Sequence, residues 1–143
     1  MKAGAIALVS GGIESLCLVR TLLAEGRVVV PLSIRCGFRW EGVERYWLRR
    51  WLSVVAHRRL RSLSVLSVPL RGLYEAHWSV TGRGVPGQAS RDTAVYLPGR
   101  NVILLSGAGL FAARHDLTTV GLGTLVTNPF GDAPIVAAPQ HAS

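Results

Sequence analysis

Residues 8–19 read LVSGGIESLCLV: the end of a short apolar strand, a serine and two glycines, then an apolar helix with no linker between them. Ala3 to Val9 is predicted as a buried strand. Ile13 to Glu25 is predicted as a helix, with Leu16, Val19, Leu22 and Leu23 at offsets of three and four and Gly26 as its stop. Glycines let a ligand approach the main chain closely. Free N–H groups and the helix dipole at such a turn suit phosphate. Ser10 and Ser15 add hydroxyl groups. The loop is too short for a Walker A motif and lacks its lysine, and it lacks the third glycine of the dinucleotide fingerprint. A tight strand-to-helix turn with no ligand satisfies the same pattern.

Outward from that turn, strands and helices alternate. Val28 to Ile34 is a second buried strand, whose Pro31 removes a ladder donor and so requires a neighbouring strand that is short or absent there. Glu41 to Ala56 is an amphipathic helix, with Val43, Trp47, Trp51 and Val54 on one side and Arg45, Arg49 and Arg50 away from it. Ser62 to Val68 is a third strand. Leu70 to Thr93 has no strong period, and a connection of that length in a compact domain points to a functional or a mobile segment. Asn101 to Arg114 is a third helix, whose Gly107 and Gly109 suggest close packing on a sheet, and Thr118 to Leu122 is a fourth strand. The pattern predicts an α/β fold: a three-layer, Rossmann-like parallel sheet flanked by helices, with right-handed crossovers. Residues 1–134 form one nucleotide-binding domain and 135–143 a polar tail. Ligands of such sheets sit beyond the carboxyl ends of the strands. Ser10 to Ser15, Arg35 to Glu41, Pro69 onward and Gly121 to Asp132 fall there.

The composition agrees. The chain has 143 residues, 49% apolar and 17% charged, which suits one globular domain. The longest apolar stretch, Val102 to Ala113, is shorter than a membrane span and is broken by Ser106, Gly107 and Gly109. The N-terminal apolar run reads as a strand and not as a signal peptide, so a cytoplasmic protein is expected. Cys17 and Cys36 form no CxxC pair, and the four histidines have no zinc-site spacing. Cys17 reads as a small core residue. Sixteen Lys and Arg against eight Asp and Glu give a net charge of +8. That balance favours anionic partners, including weak nucleic-acid binding through an arginine surface, and it also fits a compositional bias with no site behind it.

Ser10-Gly11-Gly12-Ile13-Glu14-Ser15 resembles the SGGxDS signature of the PP-loop ATP pyrophosphatases. Within them the chain is similar to the 7-cyano-7-deazaguanine synthases of the QueC/ExsB type. Cys36 to Glu41 stands where that family has a YGQRH-like segment. Leu97-Pro98-Gly99-Arg100-Asn101 is similar to its VPGRN motif, followed by a Leu-Ser-x-Ala helix at Leu105 to Ala108. Gly121 to Ala133 falls on its glycine-led strand end and substrate loop. The resemblance implies ATP and Mg²⁺, with 7-carboxy-7-deazaguanine (preQ0 precursor) and ammonia as substrates. It implies that Ser10, Gly11, Gly12, Ile13, Glu14, Ser15, Gly99, Arg100 and Asn101 bind the nucleotide. Glu14 and Arg100 would be catalytic, with Glu14 also at the Mg²⁺. Gly121, Asn128 and Asp132 would meet the substrate.

Each of these positions has a second reading. Glu14 replaces the family's aspartate, and a first-turn glutamate also interacts with the helix dipole. Arg100 also reads as a solvent-facing arginine. Asn101 also reads as a helix cap, and Asn128 and Asp132 as turn formers. Phe38 and Trp40 stand in place of the family's glutamine and histidine. The family's C-terminal four-cysteine zinc cluster has no counterpart, so no zinc site is expected, and a homodimer or a partner-completed assembly is. The alternatives in function are a nucleotide-binding module without catalysis, or another PP-loop activity such as tRNA thiolation or amidation.

Overall fold

Strand β1 (Lys2–Leu8) leads through helix α1 (Ile13–Ala24) to β2 (Arg27–Arg35), and helix α2 (Glu41–Val55) leads on to β3 (Ser64–Ser67). Helix α3 (Arg100–Arg114) precedes β4 (Thr119–Leu122). The computed structural model of the chain describes residues 2–10, 12–70 and 100–123. The strands form one parallel sheet in the order β3-β2-β1-β4, the expected α/β architecture. The chain steps outward from β1 to β3 and then returns to pair β4 with the other side of β1. Strand order therefore reverses at the β1–β4 crevice, the place where open α/β sheets bind ligands.

Alternation along β1 builds the layers, because successive side chains of a strand point to opposite faces. Ala5, Ala7 and Val9 lie under α1 and α2, among Val19, Leu22, Leu23 and Leu48. Ile6 and Leu8 lie on the other face with Leu32, against Ala108 and Ala112 of α3. Small residues on the first face let α1 seat closely on the sheet. Helix α1 ends where expected, at Gly26 with φ +82°, whose N–H donates to the Leu23 carbonyl at 3.0 Å.

Pro31 sits in an interior strand, and the sheet accommodates it as the sequence requires. Val29 turns its main chain toward the β3 side: its N–H donates to Arg59 O at 2.8 Å, and its carbonyl accepts the Arg61 N–H at 2.9 Å. Two residues on, Pro31 presents its missing donor to the same side. There the ladder is interrupted: the Val29–Leu60 bridge is isolated, and β3 starts only at Ser64, opposite Leu32.

Helix α2 corrects the sequence reading. Val43, Trp47 and Val54, expected inside, are exposed, at 64%, 59% and 82%. The buried side carries Leu48, with Trp51, Leu52 and Val55 against the core. The apolar stripe was real but off by about one position around the helix. Trp47 is instead held at the surface, edge-on to Tyr46 and within 5.8 Å of the Arg50 guanidinium. Cys17 is likewise exposed and not core. Gly107 packs close as expected, since a Cβ there would lie 3.3 Å from Ile34 Cδ1, but Gly109 faces open space.

Candidate functional site

At the carboxyl edge of the sheet lies a cavity of about 350 Å³. The carboxyl ends of β1, β2 and β4 contribute to it, and the N-termini of α1, α2 and α3 reach its rim. Ser10 and Ser15 form its floor under the start of α1. Ser15, buried, accepts the Ser10 N–H at 3.0 Å, and the two hydroxyl oxygens lie 3.3 Å apart. The Gly12 N–H reaches the Ser10 hydroxyl at 3.5 Å. Gly12 is the N-cap of α1 and no side chain caps the helix, which leaves first-turn N–H groups for another acceptor. Ile13 is exposed and is not among the residues that line the cavity.

Two glycines set how closely the walls meet. A Cβ on Gly12 would lie 2.8 Å from Glu14 Oε2, so the Glu14 carboxylate folds back over the loop. A Cβ on Gly123, just after β4, would lie 2.7 Å from the Glu14 carbonyl oxygen. Glycine there lets the end of β4 touch the first turn of α1. Gly121, named from the sequence as a substrate contact, is buried under Leu18 of α1, and Leu122 of β4 and Gly123 after it line the cavity.

The opposite wall comes from the β2–α2 connection and from α3. Arg100 and Asn101 open α3 and both line the cavity, Asn101 buried. Asn101 lies inside the helix, after Arg100, so it is not the cap that the sequence allowed. Phe38 and Trp40 stack with centroids 5.0 Å apart. Glu41 accepts the Cys36 N–H at 2.6 Å and pairs with Arg45 at 3.7 Å. Arg45, predicted to lie away from the apolar stripe of α2, lines the cavity. The Glu44 side chain makes no hydrogen bond or ion pair among the described residues, and burial pushes its pKa up to about 7, with Glu41 adding to the rise and Arg100 and Arg45 opposing it. Burial, with repulsion from Glu41, raises the Cys36 thiol to about 11 against the pull of Arg100.

The structure thus brings together Ser10, Gly12, Glu14, Ser15, Arg100 and Asn101, which the sequence separates by up to ninety residues. Gly11, Gly99, Asn128 and Asp132 lie outside the described residues. Sequence reasoning placed Cys36 at the ligand edge, within Arg35 to Glu41, but missed Glu44 and Arg45. The available signal was position: polar groups at the end of a parallel strand, and in the first turn after it, face the ligand edge.

The family model of the queuosine biosynthesis protein QueC matches residues 4–131. The chain belongs to the QueC family. No curated protein matches it. The QueC match includes every residue that lines the cavity. Membership places the chain with the proteins of queuosine biosynthesis, and with it the PP-loop resemblance of SGGIES. Among the described residues no helix is long and apolar enough to cross a membrane, and no group of three or more His, Cys, Asp or Glu side chains is placed to hold a metal ion.

Proposed function

We propose that the chain is an ATP-dependent ligase of the 7-cyano-7-deazaguanine synthase type, converting 7-carboxy-7-deazaguanine to the nitrile with ammonia. One observation carries this reading: the serine–glycine loop before α1 shares a cavity with Arg100 and Asn101 at the start of α3. The loop N–H groups and the Ser10 and Ser15 hydroxyls hold the ATP polyphosphate, and Arg100 neutralises charge on the nucleotide phosphate or on the substrate acid. Phe38, Trp40 and Leu104 give an apolar wall that excludes water from the activated acid.

The charge balance of the cavity supports a divalent ion with the ATP. Its charged lining among the described residues is Glu14, Glu41, Arg45 and Arg100, with Glu44 only partly ionised near pH 7, so the side chains bring no excess positive charge although the chain as a whole is +8. They leave the charge of a polyphosphate to be offset mainly by a cation. Mg²⁺ is commonly held by one or two carboxylates together with substrate phosphates, so Glu14 beside the loop fits such an ion without a dedicated protein cage. When bound, the ion offsets charge on the leaving pyrophosphate.

The substrate carboxylate attacks the α-phosphorus of ATP, and pyrophosphate leaves. Ammonia attacks the acyl carbon, loses a proton and expels AMP, giving the amide. The amide oxygen attacks the α-phosphorus of a second ATP and pyrophosphate leaves; loss of AMP and of both nitrogen protons then leaves the nitrile. The protein's part is to align the acid with the α-phosphate, which accounts for a site built on the ends of rigid elements.

The test is incubation with ATP, Mg²⁺, 7-carboxy-7-deazaguanine and ammonium, following pyrophosphate and, by mass spectrometry, the nitrile. Nitrile and pyrophosphate formation that needs both the acid and ammonia supports the reading, as does their loss in Ser10→Ala and Gly12→Ala. ATP binding with no pyrophosphate under any of these conditions would make the chain a binding module instead.

A further inference from the structure

We propose that Glu44 reads the ring of the second substrate, its carboxylate accepting the paired N–H donors of a 2-amino-4-oxopyrimidine edge. The substrate class rests on the reading just given. The residue rests on placement and chemistry in this chain.

Two carboxylates stand three residues apart on α2, and both line the cavity. Glu41 is already engaged by the Cys36 and Gly37 N–H groups and by Arg45. The side chain of Glu44, one turn further along, has no hydrogen bond or ion pair among the described residues. Its environment disfavours the ionised form in the free protein, and burial is the largest cause. A carboxylate held half-buried without donors is a cost to the fold, and a ligand that brings donors removes that cost.

The ligand's class follows from what a carboxylate can accept. It has two oxygens and, when ionised, no donor. A guanine-type ring offers a ring N–H and an exocyclic amino group side by side, which match both oxygens at once. Adenine offers one amino group flanked by ring nitrogens that are acceptors, and these oppose a carboxylate. Glu44 therefore selects the deazaguanine ring and discriminates against the adenine of ATP in the same cavity. Arg100, which shares the cavity and acts on Glu44 electrostatically, is positioned to meet the acid group or the phosphate that joins it.

The experiment is calorimetric titration of wild type and Glu44→Gln with three ligands: 7-carboxy-7-deazaguanine, its analogue lacking the 2-amino group, and ATP with Mg²⁺. Glutamine keeps the size but turns an amide N–H₂ toward the ligand's donors. Expected is a loss of affinity for the acid on the order of ten- to a hundredfold in Glu44→Gln, with ATP affinity unchanged. The 2-deamino analogue should bind wild type as weakly as the acid binds the variant, and should lose little more in the variant. Equal binding of the acid by both proteins overturns the role of Glu44 and leaves the substrate standing. A variant that loses ATP instead overturns it in favour of adenine recognition. Wild type that binds ATP but neither ring overturns the substrate class and this role with it.

Discussion

The Glu41 carboxylate accepts the N–H of Cys36 at 2.6 Å and that of Gly37 at 3.4 Å, so one side chain of α2 closes the loop that leaves β2. Gly37 there has φ +97°, a conformation that glycine adopts without strain, and Cys36 is buried. Glu41→Ala leaves a buried N–H without an acceptor, which costs about 1–3 kcal/mol. Urea unfolding should show that loss, with Glu41→Gln recovering part of it through its amide oxygen. An alanine variant as stable as wild type would mean that the loop is held by other contacts.

The two glycines at the end of β4 should respond differently to alanine. At Gly123 the new Cβ meets main-chain atoms of Glu14, at 2.7 and 3.0 Å, and the helix start has to move. At Gly121 it meets Leu18 Cδ1 at 3.0 Å, a side-chain end that can rotate. Overpacking of this kind costs about 1–3 kcal/mol, with Gly123→Ala at the upper end. Gly123→Ala should also weaken ATP binding, because the displaced turn carries the loop amides, whereas Gly121→Ala should change stability only. Equal effects of the two on ATP affinity would disprove the coupling of β4 to the loop.

The exposed side of α2 separates its two core-capable tryptophans. Trp51 packs against the cluster beneath α1 and α2, and Trp51→Ala should cost about 3 kcal/mol, the lower end for such truncations because it is only partly buried. Trp47 contacts Tyr46 and Arg50 at the surface, and Trp47→Ala should stay within about 1 kcal/mol of wild type. Thermal unfolding of the two variants decides which face of the helix is inside.

That helix shows where the sequence stops being legible. Strand and helix bounds fell within one or two residues of their predicted places because buried strands and turn glycines leave local marks, as at Gly26 and Pro31. The rotation of α2 was not legible, because its sequence carries apolar residues on both sides and only the tertiary fit selects Leu48 over Val43. In the site, Ser10, Gly12, Ser15 and Arg100 stood out through loop chemistry and motif. Glu44 did not, since a glutamate in a helical first turn reads as a dipole partner until the fold shows that it faces a cavity.

Cysteine reactivity should follow burial. Cys36 has its thiol raised to about 11, chiefly by burial and then by the Glu41 charge, so almost no thiolate exists at pH 8. Cys17 is exposed on α1. Brief iodoacetamide treatment at pH 8 should label Cys17 and spare Cys36, with both labelled in urea, as read by peptide mass spectrometry. Labelling of native Cys36 at the rate of Cys17 would contradict the closed wall beneath Glu41.

Glu44 should couple stability and binding to pH in opposite directions. Its pKa is raised to about 7 in the folded chain from 4.5, mainly by burial, with Glu41 adding and Arg100 of α3 and Arg45 of α2 opposing. Glu14 on α1 and Cys36 after β2 are the other titratable groups around the same cavity. Between these two pKa values the native state holds a proton that the unfolded chain has released. Stability conferred by the protonated form is therefore complete below the unfolded value and is lost as pH rises toward 7. Glu44→Gln removes this slope, so the free variant should gain melting temperature over wild type at pH 8 and little at pH 5. Binding of a ring that donates two N–H groups needs the carboxylate, so wild-type affinity for the deazaguanine acid should fall as pH drops below about 7, while that of Glu44→Gln stays flat. Parallel melting curves and titrations from pH 5 to 8 read both effects. A wild-type melting temperature that does not differ from the variant's across that range would show that the carboxylate is solvated, and it would remove the reason for Glu44 to seek a donor.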